Sequence, residues 1–250
     1  MDIRATTIDA IILKARNYKE QDKLLTYFSL EQGKSVAIAR GACKPGASLS
    51  GVAQPFVRAS LTLGPPKGGV SYVTQAMPDT SFITLDSPLG AIAYASYFSE
   101  LTDLALPERR PSPDFFALLL TVFTMLKMDD DTERTARYFE LALLAELGLL
   151  PSLDSCAGCG RSLRDGQFRL SPKRGALLCY GCGGDDPAPP LCAGTVLTMK
   201  RLLEAPISKL ASIKISPAIM KEMEAACSYF LDYHLDYSAK AKKVLHQLLD

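Results

Sequence analysis

The chain has 250 residues, 48% of them apolar and 22% charged, which suits one large folded domain or two modest ones and argues against global disorder. It holds no unbroken run of eighteen apolar residues and no basic, apolar, small-residue series at its start, so neither a membrane-spanning helix nor a secretory leader is expected. The net charge of +1 conceals an asymmetry: residues 1–80 carry ten Lys/Arg against six Asp/Glu, and residues 81–150 carry five against eleven. A basic first third points to a polyanionic partner.

Residues 8–14, 24–30, 35–40, 56–63 and 70–76 read as strands, being short runs rich in β-branched and aromatic side chains. Turn clusters separate them at residues 17–21, 31–33, 41–51 and 64–69. In "VAIAR" the alternation puts Val36, Ile38 and Arg40 on one face and two alanines on the other. Five short strands within eighty residues predict a small closed barrel of the OB type.

From residue 88 the period changes to that of helices, at 88–106, 113–128 and 131–148, each with Pro or Asp at its start. The third is apolar nearly all round from Phe139 to Leu147, as in the central helix of a bundle, and Gly148 with Pro151 beyond marks its end. "GGDDPAPP" (183–190) reads as a linker. Helix is expected again at 195–203, 217–237 and 239–249, with Ser216-Pro217 as cap and first residue.

Cys156-x-x-Cys159 and Cys179-x-x-Cys182 stand nineteen residues apart. Two such pairs at this spacing make a closed, four-thiolate Zn²⁺ site, with a hairpin between them from 168–170 and 176–178. Seven cysteines with four so paired indicate reduced thiols and a cytoplasmic setting. A zinc can run chemistry, present a surface or staple a loop. A catalytic site keeps an open position and commonly a histidine, yet the two histidines, His234 and His246, lie outside any H-E-x-x-H or H-x-E motif. A structural zinc is expected, with Cys43, Cys192 and Cys227 as buried or half-buried residues apart from it. No nucleophile motif occurs, and "GACKPGAS" (41–48) puts Ala47 where a phosphate-binding loop needs lysine. The residues argue for no enzyme.

The cations at strand ends and loops of the barrel, Lys14, Arg16, Lys34, Arg40, Lys44, Arg58 and Lys67, are the candidates for phosphate contact. Lys240, Lys242 and Lys243 offer a second patch. Tyr18, Phe56 and Tyr72 are candidates for base stacking or for core.

The order of basic barrel, helices and four-cysteine hairpin resembles the RecO family of bacterial recombination mediators. The likeness rests on "ILKARNYKEQDKLLTYFSLEQGK" (12–34), "AIARGACKPGASLSGVAQPF" (37–56), "YASYFSEL" (94–101), "RYFELALLAELGLLP" (137–151) and the C-x-x-C-G that follows. The sequence departs from the family in keeping a single base, Lys44, in the Gly41 loop, and in lacking the usual lysine–serine–arginine near its end. The resemblance implies a non-catalytic DNA-repair factor of the RecF pathway, cytoplasmic and nucleoid-associated. It implies binding of single- and double-stranded DNA, annealing of complementary strands, and loading of RecA onto SSB-coated DNA together with RecR. It further implies that the acidic, apolar tail of SSB docks on the helical domain. The expected fold is α+β: an OB barrel at 1–80, helices at 81–152 and 191–250, and a zinc-ribbon-like insertion with linker at 153–190. The other reading of the same residues is a zinc-containing adaptor for protein partners, with incidental DNA contact.

Overall fold

The computed structural model describes residues 5–128, 131–164 and 166–235, with Lys67 described by its backbone alone. The chain divides into two compact units that meet between Met128 and Asp129.

In the first unit, β1 (Thr6–Tyr18), β2 (Asp22–Ser29), β3 (Gly33–Ala39), β4 (Val57–Lys67) and β5 (Val70–Ser81) close a barrel in the order β1-β2-β3-β5-β4. All neighbours are antiparallel except β3 and β5, which close the barrel in parallel. This is the five-stranded OB-like arrangement expected. The interior is narrow, and small residues make it so: Ala10, Ala37, Ala39 and Ala59 are fully buried among Ile8, Ile12, Leu25, Tyr27 and Leu61. The two alanines of "VAIAR" therefore face inward. Between Ile12 and Lys14 the register with β2 shifts by one residue. This bulge keeps Ile12 and Ala15 on the interior face while Leu13 is buried outside the interior cluster. Leu49, Val52 and Ala53 of the β3–β4 connection also join that core and plug one end. The sequence cluster 64–69 is mostly strand rather than turn. Its two prolines sit at a register irregularity, where ladder bonds are already interrupted. The turn itself is Gly68-Gly69, with φ of 62° and 85°, a left-handed pair that glycine adopts without strain.

Two helices, α1 (Leu89–Ala105) and α2 (Pro113–Met128), belong to the same unit as the barrel. Phe28, on the outer face of β2, meets Phe115 of α2 edge-on at 5.3 Å, and Phe123 packs between Phe56 and Phe82. The loop joining the helices crosses the β2–β3 turn, where the Arg109 N–H donates to the Lys34 carbonyl at 2.8 Å. Gly33 is required there, since it has φ +67° and a Cβ on it would lie 2.0 Å from the Arg110 carbonyl oxygen.

In the second unit, α3 (Thr132–Glu146) packs on α5 (Ala193–Glu204) and α7 (Pro217–Leu235), with α4 (Tyr180–Gly183) and α6 (Ile207–Leu210) as short turns. The Asp131 carboxylate caps α3 by accepting from the Arg134 N–H, and Gly148 (φ +67°) ends it in a Schellman turn, Leu149 N–H to the Leu144 carbonyl. The helix expected to be central does pack on two others, but it is not wholly apolar. Its buried face carries an Arg137–Glu140 ion pair at 3.0 Å, with the Cys227 thiol pushed up by burial and by the adjacent Glu140 charge. The hairpin β6 (Gln167–Ser171) and β7 (Ala176–Cys179) gains a third strand, β8 (Pro190–Cys192), in the order β7-β6-β8. The sequence placed a plain linker here, but the segment is tied down. Asp186 is buried, accepting from the Ser171 hydroxyl at 2.5 Å and the Ala188 N–H at 3.0 Å, and Arg169 donates to the Ala188 carbonyl. Glu222 of α7 accepts from the Cys192 N–H and the Thr195 hydroxyl, capping α5 from another helix. The helix expected at 239–249 lies outside the described residues.

Candidate nucleic-acid interface and metal centre

The barrel's cations fall into two groups. Lys14 Nζ donates to Asp103 Oδ2 of α1 at 2.8 Å, and Lys34, only 8% exposed, pairs with the same carboxylate at 3.4 Å and donates to the Asp103 carbonyl. Burial opposes the ionisation of Asp103, but the two ammonium groups outweigh it and hold the carboxyl below its usual range. Arg58 donates twice to Asp9, at 3.0 and 2.7 Å, and lies 3.4 Å from Asp79; the hydrogen-bonded Asp9 raises its pKa. These three cations hold the unit together.

Arg16, Arg40 and Lys44 are exposed and make no ion pair among the described residues. The Arg40 guanidinium lies over the Tyr72 ring, 4.0 Å from its centroid. A fourth free cation, exposed Lys19, was missed by the sequence reading; its ammonium lies 5.4 Å from the Tyr18 ring, and its φ is +57°. The signal was present, a lysine in the β1–β2 turn beside Arg16 and Tyr18. Ladder pairing puts these groups at one end of the barrel, because Arg16 pairs Leu24, Leu24 pairs Ile38 and Ile38 pairs Tyr72. The Gly41 loop is fixed to that end by Gly41 N–H to Asp22 Oδ1 (2.8 Å) and Cys43 N–H to the Gln21 carbonyl (3.0 Å). Of the candidate stacking rings, Phe56 packs on Phe123, while Tyr18 and Tyr72 remain at least partly open. The side chain of Lys67 and all of Lys240, Lys242 and Lys243 lie outside the described residues.

In the second unit the four thiols of Cys156, Cys159, Cys179 and Cys182 lie within 4.8 Å of one another, and this is the one such group of potential ligands among the described residues. The Cys159–Cys179 Sγ separation is 3.7 Å. Four sulfurs at about 2.3 Å from a tetrahedral ion would stand about 3.8 Å apart, so the donor set fits a metal of that kind. The knuckles supply amides as well as thiols. At Cys156 burial opposes ionisation, but N–H groups of Cys179, Cys159 and Gly158 outweigh it and lower the pKa to about 6. Cys182, sharing protons with Cys159, Cys179 and Cys156, is pushed up to about 12. Ionising all four sulfurs in so small a space would require a cation between them. Gly158 leaves room for the cluster, since a Cβ there would lie 2.9 Å from Cys182 Sγ. Cys227 is buried and apart as expected, whereas Cys43 and Cys192 are exposed. The His234 ring lies tilted against Phe230 and edge-on to Tyr233, with its pKa lowered by burial.

The recombination protein O N-terminal family model matches residues 1–82, and the C-terminal model of the same family matches residues 87–243. The chain belongs to the RecO family. The DNA repair protein RecO of Symbiobacterium thermophilum is 35% identical over 247 residues, spanning 96% of both chains. That of Pelotomaculum thermopropionicum is 33% identical over 234 residues, 93% of this chain and 90% of its own. The RecO family models divide the chain between residues 82 and 87, whereas packing groups α1 and α2 with the barrel. Among the described residues no helix is long and apolar enough to cross a membrane.

Proposed function

We propose that this RecO-family chain is a non-catalytic recombination mediator that binds single- and double-stranded DNA and anneals complementary strands. With RecR it would help load RecA onto SSB-coated DNA in the cytoplasm. The observation that carries this reading is the gathering at one end of the barrel of Arg16, Lys19, Arg40 and Lys44, cations with no ion pair among the described residues. Cations without a carboxylate partner are those that can exchange counterions for phosphates. Annealing further requires contact to the backbone rather than to base edges, so that the pairing edges stay free. The four thiols support a structural Zn²⁺, which when bound stabilises the β6–β7 hairpin and supplies no reactive position. The proposed DNA surface is Arg16, Lys19, Arg40 and Lys44, with Lys67, Lys240, Lys242 and Lys243 retained as candidates. Annealing of SSB-coated complementary oligonucleotides tests it. Reversal of Arg16, Arg40 and Lys44 to Glu should abolish annealing and lower the salt slope of single-strand binding by about two. Unchanged annealing removes the surface.

One observation also favours protein docking. In the second unit a groove of about 490 Å³ is lined by Leu197, Ala205, Pro206 and Ile213 together with Lys200, Arg201, Lys209 and one acid, Glu204. An apolar lining with a net basic charge suits an acidic, apolar peptide such as the SSB tail. Arg201→Glu should weaken binding of a tail peptide without changing affinity for bare DNA.

A further inference from the structure

We infer that Arg40, held against Tyr72, is a stacking ledge for an unpaired base, so that this end of the barrel distinguishes single strands by base as well as by phosphate. The inference rests on the DNA-binding reading above and adds to it which chemical part of the nucleotide is held.

A guanidinium is planar, and 4.0 Å from the Tyr72 centroid its inner face is occupied by the ring. Arg40 is nevertheless exposed, so its outer face is open. Among the described residues no carboxylate pairs with it: Asp22, at the start of the adjoining strand, accepts instead from the Gly41 N–H. A free arginine loses much rotamer entropy when it binds, whereas the ring has already restricted this one. The ring in turn is placed by the ladder, with Tyr72 paired to Ile38 on β3 and to Gly64 on β4. Gly64 presents no side chain beside the ring, which is half-buried, while the cation above it is exposed. Arg16 lies on the same row across β1, β2, β3 and β5, positioned for a phosphate of the same strand.

A base laid on the outer face of the guanidinium would complete a three-layer stack of base, Arg40 and Tyr72. Stacking on guanidinium planes is a recurrent way of holding unpaired bases. It uses the π-face of the base and leaves its pairing edge free, which is what a strand awaiting its complement needs. Bases in a duplex are already stacked on one another, so the ledge offers a duplex only the charge of Arg40.

The test compares oligothymidylate with an abasic deoxyribose-phosphate strand of equal length, by fluorescence anisotropy across a salt series. The wild-type protein should prefer the base-bearing strand by on the order of tenfold. Arg40→Lys and Tyr72→Leu should bring that ratio close to one, and Tyr72→Leu, which removes no charge, should leave the salt slope of abasic binding unchanged. Tyr72→Phe should keep the ratio, which separates loss of stacking from damage to the barrel. Equal binding of the two strands by the wild type overturns the ledge but leaves phosphate binding standing, as does a ratio that survives both Arg40→Lys and Tyr72→Leu. Failure to bind either strand removes the DNA-binding reading and the ledge with it.

Discussion

Asp103→Ala should destabilise the first unit far more than removal of either lysine that it pairs with. The carboxylate serves Lys14 and Lys34 together, and the Lys34 and Asp103 side chains are only 11% and 34% exposed. Removing one partner of a fully buried pair costs ~3–5 kcal/mol, because the remaining charge is stranded. Asp103 is a third open to water, which screens the interaction and reduces the expected cost to about 2 kcal/mol. For a unit of this size that is a fall in Tm of roughly 6–8 °C. Lys34→Met leaves Asp103 paired with Lys14 and fills the same space with an apolar chain, so its cost should stay within about 1 kcal/mol. The double variant should recover at least half of the Asp103→Ala loss. Thermal unfolding by circular dichroism measures all three, and the salt slope of DNA binding is read on the same proteins. Because the folded-state pKa of Asp103 is depressed, its contribution is complete above the unfolded value of about 3.9 and is lost as pH falls through the folded value. The gap between wild type and Asp103→Asn should therefore be constant near neutrality and close in acid. The reasoning is refuted if Lys34→Met is the more damaging single change. It is equally refuted if Lys34→Met leaves Tm alone while lowering the salt slope by about one, since Lys34 would then be a DNA contact.

Gly33→Ala should cost more than about 2 kcal/mol, since the left-handed backbone alone costs ~1–2 kcal/mol and the added Cβ collides with the Arg110 carbonyl. An unchanged urea midpoint would contradict this. Zinc held at about a thousand times its dissociation constant should stabilise the protein by about 4 kcal/mol, so chelation should lower Tm and zinc should restore it. A metal-free protein of full stability would remove the staple. Glu222→Ala leaves the Cys192 N–H and Thr195 hydroxyl without their acceptor and should cost about 1–2 kcal/mol, read as a shift in denaturant midpoint at constant m-value. Glu140→Ala removes the carboxylate that lies 3.0 Å from the buried Arg137 guanidinium and should cost ~1.5–3 kcal/mol, read from the same denaturant midpoint.

The elements themselves were legible because their signals are local. Strand alternation, the Pro113 start of α2, the Asp131 cap and the Gly148 stop of α3 each occupy a few adjacent residues, and each was met. The four cysteines were equally plain, since two C-x-x-C pairs carry their geometry in their spacing. The misses were of another kind. "GPPK" reads as a turn because proline interrupts ladders, yet here it continues β4 through an irregular register. "GGDDPAPP" reads as a linker because its anchors, Ser171 and Arg169, come from the hairpin.

A basic five-stranded barrel ahead of helices and a four-thiol hairpin is readable from the residues alone, because periodicity, capping and cysteine spacing are properties of neighbouring residues. Which cations lack an ion pair among the described residues is set by the fold. Lys14 and Arg16 stand two positions apart on one strand and look alike in sequence, but Lys14 meets a carboxylate 89 residues away. The partner of Arg58 is 49 residues distant, and the ring beneath Arg40 belongs to a strand that joins β3 only when the barrel closes. A charge is a property of its residue; whether it is neutralised depends on what the fold brings beside it.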